Sequence, residues 1–495
     1  MKNKSLKILI LIFSQGINTL LNFIFLPYLS RALSIIDYGT YGQALIVSNI
    51  LVLFFGFGLS KVIYVYFADE KFNNQKVFNT NLISTLIFGS LAAIIIFPLV
   101  NYISGFLNNP ELSLYILILL FSIPFSIAFL TISSTLIFFN RVKKMAEIIV
   151  YSNILKILLL FISIQFFESL TMVFISILLI SIAQFLWSLF IVRDIFLIKT
   201  NDFCIDIFKK QIYYGSPLAI TAVFGVLYKY TDSIMISRML SVSEYAIYRN
   251  GAIEVPFMST LYSSIGAIIL PSISVLYKKV EFSKILLLKR RIINNTFSLI
   301  FPIFLFLAYF SDTLILTYFS EKYAESAIIF SVYCICLLVR INDYEDIMIA
   351  ANKGNYILYI YVFSFVINLV LNLILINLYG SIGAAVSTVT TLIMIAFCSL
   401  FLSSRLLGHS MLDFFDNRFL LRTLFISSIN FVVFLILFDF LFDLNIIFSL
   451  IIYLISLLIV IIRYETVEFN ILKQLINKTP IFNEKILTLI NYIKK

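Results

Sequence analysis

Lys156 stands about ten residues, or ~15 Å at the helical rise, from either end of an apolar stretch near 145–166. A lysine side chain cannot reach water over that distance, and no acidic residue lies within one helical turn of it. An ammonium group placed so deep needs a lined cavity, a carboxylate from another helix, or an anionic ligand. A pyrophosphate headgroup would suit it. The chemistry in prospect is recognition of an anion.

Four further cations interrupt apolar runs: Lys61, Lys229, Arg249 and Arg340. Arg249 is four residues, about 6 Å, past a polar turn and is expected to snorkel towards headgroups. Lys229 with Asp232, and Arg340 with Asp343, are spaced three apart on one helical face. Each couple reads equally as a self-neutralising pair that holds helices together and as part of a site. Carboxylates deep in a span are costly unless paired or titrating in function, which makes Asp343, Asp346, Asp232 and Glu254 the ion-coupling candidates. Asp343 is favoured, because it could compete with a substrate phosphate for Arg340. Ser14, Asn18 and Asn22 are each four apart and stack on one helix face; Ser364, Asn368 and Asn372 reproduce that stripe. With Asn153, these side chains read as interhelical hydrogen-bonding glue or as a cavity lining that could bind sugars.

No signature of bond-making chemistry accompanies these groups. His409 is the only histidine, which excludes a His-rich metal site. Cys204, Cys334, Cys336 and Cys398 form no readable disulfide framework. Phosphate-loop and nucleophile patterns are absent, and the longest outer loop, near 311–325, is short for a catalytic domain. No cofactor and no enzyme activity are expected.

The elements that must position these residues are membrane helices. The chain of 495 residues is 61% hydrophobic and only 13% charged, with a mean hydropathy of +1.04. Crossing a bilayer takes about 20 apolar residues, and such windows fill nearly the whole length. About fourteen spans are expected. Lys2, Lys4 and Lys7 precede the first apolar run as in a signal peptide, but no small-x-small cleavage site follows, so it reads as a retained span. The net charge of +10 might suggest nucleic acid, yet its distribution is a topology signal. Only Arg31, Arg238 and Lys322 fall on the side opposite the N-terminus, which places both termini in the cytoplasm of a multi-pass bacterial inner-membrane protein.

One stretch occurs twice. Ser30-Arg31-Ala32-Leu33-Ser34-Ile35-Ile36-Asp37-Tyr38-Gly39-Thr40-Tyr41 is echoed 207 residues on by Ser237 to Tyr248, with Ser, Arg, Leu, Ser, Tyr and Tyr identical and the carboxylate kept as Glu244. Both copies read as short polar turns between spans, and a repeat at this distance implies a duplicated half. The organisation expected is an N-lobe of six spans over 1–192, a cytoplasmic amphipathic linker over 193–212, and a C-lobe of six spans over 213–404. Two further spans occupy 405–463, and an amphipathic cytoplasmic tail over 464–495 could bind anionic lipid. Lys278 to Arg291 reads as a basic inner loop.

Six plus six spans and two more, the Ser-Arg-x-Leu-Ser…Tyr-x-x-Tyr turn, and Asn368-x3-Asn372 followed by Gly380-x-x-Gly383-Ala384-Ala385 resemble the polysaccharide flippases. These are the O-antigen and capsule repeat-unit translocases of the MATE-like exporter superfamily. The resemblance implies an all-α protein whose two six-helix lobes enclose a V-shaped central cavity. It implies translocation of an undecaprenyl-pyrophosphate-linked oligosaccharide from the inner to the outer leaflet. It also implies membrane lipids, a polysaccharide polymerase and chain-length machinery as partners. Within the same fold, a cation-coupled multidrug exporter or a lipid II-type flippase is the alternative; the exporter would favour an acidic central cavity.

Overall fold

Long apolar runs punctuated by Pro, Gly and capping residues fold into helices that meet end to end. The computed structural model describes residues 2–256, 258–342, 344–439 and 446–464. Among the described residues all regular structure is helical. Among the described residues, seven helices are long and apolar enough to cross a membrane, or eight if Leu112–Leu120 and Ile123–Phe138, bent by 46°, form one span. The protein is an all-α polytopic membrane protein. The chain divides into two compact units, 1–249 and 250–495.

The first unit contains α1 (Lys2–Ala32), α2 (Ile35–Phe55), α3 (Leu59–Ala68), α4 (Asn74–Ile96), α5 (Val100–Phe106), α6 (Leu112–Leu120), α7 (Ile123–Phe138), α8 (Val142–Gln165), α9 (Leu170–Val192), α10 (Ile205–Met239) and most of α11 (Val242–Gly251). α1 lies along α8, α8 and α7 pack on α9, and α4 packs on α7. α10 rests on α2, α3 and α4. Val62, Phe67, Phe78, Ile132 and Phe185 build the apolar core between them.

In the amphipathic linker expected over 193–212, residues 193–204 form no α-helix. They take an irregular course with one short 3-10 turn, Thr200–Asp202, and the helix begins at Ile205 and continues unbroken into the next span. The reason is visible in the anchoring. Phe196 stacks on Phe78 and Phe67, with ring centroids 5.1 and 5.8 Å apart. The Asn79 amide donates to the Leu197 carbonyl and to Asp202, both at 3.0 Å, and Thr80 Oγ1 accepts from the Cys204 N–H at 3.0 Å. Side chains of α4 thus take up the Leu197 carbonyl and the Cys204 N–H, groups that a helix would have bonded internally.

The second unit contains α12 (Met258–Lys278), α13 (Phe282–Tyr309), α14 (Ser311–Tyr318), α15 (Ser326–Val339), α16 (Asp346–Ala350), α17 (Gly354–Leu407), α18 (Asn417–Phe434) and α19 (Ile446–Tyr464). α13 packs on α15 and α18, and α17 on α15 and α16. α17 spans two of the expected helices and breaks at Gly380, whose φ of 60° and ψ of −141° suit a residue without Cβ. The last two helices bury Phe431, Phe434 and Tyr453 against Phe306 of α13 and Phe310, the residue that follows it. The Tyr453 hydroxyl donates to the Pro302 carbonyl at 3.1 Å. The amphipathic tail expected over 464–495 lies outside the described residues beyond Tyr464.

Candidate functional site

The polar stripe of α1 meets α8 as its four-residue spacing requires. Asn22 Nδ2 donates to the Asn18 carbonyl at 2.8 Å, and Ser14, one turn earlier, is buried. From α8, Asn153 Nδ2 approaches the same carbonyl at 3.5 Å, and Lys156 Nζ donates to Asn22 Oδ1 at 3.2 Å. The sequence therefore builds a seam in which one amide, Asn22, is fixed from its own helix and in turn orients the ammonium. Among the described residues, no carboxylate lies within ion-pair distance of Lys156. An ammonium has three donors and Asn22 takes one, so the remainder suit anionic oxygens.

Each of the other expected cations has its own surroundings. Lys61 is exposed on α3. Lys229 is exposed on α10 and lies 5.5 Å from the centroid of the neighbouring Tyr230 ring. Asp232 is buried and accepts a hydrogen bond from the Tyr248 hydroxyl at 2.9 Å. The pairing of Lys229 with Asp232 is thus corrected: one turn of helix separates an outward ammonium from an inward carboxylate. Arg249 does not snorkel away. Its guanidinium lies 4.8 Å from the Tyr38 ring centroid and 5.3 Å from that of Tyr41, where cation–π attraction holds it.

That contact exposes what the repeated turn does. In the first copy Ser34 caps α2 by accepting from the Asp37 N–H at 3.0 Å; in the second, Ser241 accepts from the Glu244 N–H at 3.1 Å. The shared Ser-x-x-acid pattern is a helix start. The two copies then pack on each other. A Cβ at Gly39 would stand 2.5 Å from the Val242 carbonyl oxygen, and one at Gly42 would stand 2.8 Å from a ring carbon of Tyr245. Asn108 locks the second turn by donating to the Arg238 carbonyl at 2.6 Å.

In the second unit Arg340 pairs with Glu254 at 2.8 Å. Asp343, its expected partner, lies outside the described residues. The two paired groups border a small pocket with Tyr262, Cys336 and Thr388. Asn372 Nδ2 donates to the Asn368 carbonyl at 3.0 Å, repeating the local bond of α1, and Asn368 Nδ2 donates to Thr391 Oγ1 at 3.3 Å. Ser364, Asn368 and Asn372 are all buried.

One group was misplaced by sequence reasoning. Lys289, expected in a basic loop, lies inside α13 and is 1% exposed. Its ammonium donates to Asn342 Oδ1 at 2.8 Å and forms an ion pair with Asp346, which is equally buried. Asn342 lies in the break between α15 and α16 and Asp346 opens α16, so an internal cation from α13 neutralises the interrupted span.

Comparison with known structures places this architecture. The chain superimposes on the lipid II flippase MurJ in its inward closed conformation with a TM-score of 0.72 and 18% identity, covering 94% of this chain and 99% of that one. It superimposes on an inward-facing multidrug resistance transporter of the MATE family in the MOP superfamily with a TM-score of 0.61 and 15% identity, covering 81% and 94%. The fold is thus MATE-like. An uncharacterized membrane protein of Methanocaldococcus jannaschii is 25% identical over 393 residues, 73% of this chain and 89% of its own. The family described as polysaccharide biosynthesis protein matches residues 6–277, more than half of the length, and the chain belongs to that family.

Proposed function

We propose that the protein is a flippase that moves an undecaprenyl-pyrophosphate-linked oligosaccharide repeat unit from the inner to the outer leaflet of the cytoplasmic membrane by alternating access. The observation that carries this reading is the α1–α8 seam, where Lys156 is held by Asn22 and, among the described residues, no carboxylate lies beside it. A cation that deep is expensive unless an anion shares its surroundings part of the time. Membership of a polysaccharide biosynthesis family and likeness to a lipid II flippase support a lipid-linked cargo. An exporter of cationic drugs would instead want an unneutralised carboxylate; Glu254 and Asp346 are both paired with cations, and Asp232 is engaged by the Tyr248 hydroxyl. The polymerase and chain-length machinery would act on the delivered unit.

Lys156→Ala is expected to abolish surface glycan assembly while the protein stays in the membrane at wild-type level. Lys156→Arg should retain more activity than Lys156→Gln, because charge is the property in use. Equal glycan levels for all three variants would reduce Lys156 to packing.

Ion coupling belongs to the same proposal. An ion drives transport only if it binds one conformational state better than the other. Asp232, Asp346, Glu254 and Asp343 are the carboxylates that could respond. In proteoliposomes, flipping is expected to accelerate under an imposed proton or sodium gradient. Flipping that ignores both gradients would favour passive movement drawn by downstream assembly.

A further inference from the structure

A groove of about 590 Å³ runs between α1 and α8, lined by Ile10, Phe13 and Ile17 on one side and by Ala146, Val150 and Tyr151 on the other. It is offset from Lys156, since Val150 lies six residues, about 9 Å, nearer the start of α8, and it shares with the polar stripe only the buried Ser14. The groove is open at its mouth: Phe13 is 71% and Tyr151 58% exposed. Its size falls within the range of sites for small organic ligands. On two membrane helices, an apolar groove of this kind takes up hydrocarbon, because water gains nothing from its walls.

The rim decides which amphiphile fits. Lys143 and Glu147 stand there, at the start of α8. Glu147 is neutralised by Lys144, at 3.4 Å. Lys143 is exposed, and among the described residues no carboxylate lies within ion-pair distance of it. The rim therefore keeps one positive charge above a chain-sized apolar slot, on the lysine-rich side that faces the anionic leaflet. A phosphodiester lipid supplies the matching pair of features, one negative charge and a hydrocarbon chain. We propose that this groove binds an anionic phospholipid of the inner leaflet, with its phosphate on Lys143 and an acyl chain between α1 and α8.

The test is native mass spectrometry of the full chain released from mixed phosphatidylglycerol and phosphatidylcholine nanodiscs. One phosphatidylglycerol should be retained, with about fivefold preference over phosphatidylcholine, as expected for one interfacial lysine at ~1 kcal/mol. Lys143→Glu should erase the preference, and Val150→Trp, which fills the slot, should lower retention of both lipids. Lys156→Ala should change neither, which separates this site from the proposed cargo site. Equal retention of the two lipids, or retention indifferent to both groove variants, would show annular lipid only and overturn the proposal. Displacement of phosphatidylglycerol by equimolar undecaprenyl phosphate would also overturn it, assigning the groove to the cargo instead.

Discussion

Lys289→Met is expected to destabilise the protein by ~3–5 kcal/mol, the usual consequence of removing one member of a buried ion pair. The magnitude follows from what is left behind. Asp346 is 1% exposed and would keep its charge, or take up a proton, in a site with no water to solvate it. Asn342 Oδ1 would lose the donor that now stands 2.8 Å away. Lys289→Met combined with Asp346→Leu should recover most of the loss, because two apolar side chains of similar volume often replace a buried pair at little cost. Thermal unfolding in detergent checks both. If the double variant is as unstable as the single one, the pair is not the reason for the loss. Because Asp346 borders the break between α15 and α16, the single variant should also expose this region first, as faster amide exchange at 340–350.

Gly39→Ala is the second large effect, and its sign is diagnostic. Inside an exposed helix the same change stabilises by about 1 kcal/mol. Here the new methyl would stand 2.5 Å from a backbone oxygen and 2.7 Å from Val242 Cγ1, so the paired turns must part. A loss of ~1–3 kcal/mol is expected, as for other overpacked sites. Gly42→Ala should cost less, because its nearest neighbours are the ends of the Tyr245 and Arg249 side chains, which can move. Gly16→Ala, with nothing within 4 Å, is the control and should be neutral or stabilising. Melting temperatures of the three variants settle the order; a stable Gly39→Ala would mean the turns do not press on each other.

Much of this was readable before any coordinates. Apolar windows marked membrane helices, and the repeated stretch marked two polar turns between helices, because both signals are local in the chain; that its serines cap the following helices came from the structure. The link from Lys156 to the Asn stripe was half readable: the spacing put Asn18 and Asn22 on one face, but nothing in the sequence says which helix that face meets. Lys289 was hidden by its neighbours, since Lys284, Arg290 and Arg291 made the stretch look like a solvated loop. A signal did exist. Ile285, Leu286, Lys289 and Ile293 share the helical stripe that the structure buries. Its partner is 57 residues away, and Glu254 is 86 residues from Arg340; pairings at such separations depend on tertiary packing.

The amide stripes bear on how the chain enters the membrane. In α1 and in α17, one asparagine donates to the carbonyl of the asparagine four residues before it, within its own helix. That bond forms as soon as the helix does, with no second span present. A helix that satisfies part of its polar stripe alone can leave an insertion machinery sideways into lipid at lower cost, and then wait there for its neighbour. α1 must wait for α8, more than a hundred residues later in synthesis, before Asn153 and Lys156 arrive. The internal asparagine bonds make that interval tolerable.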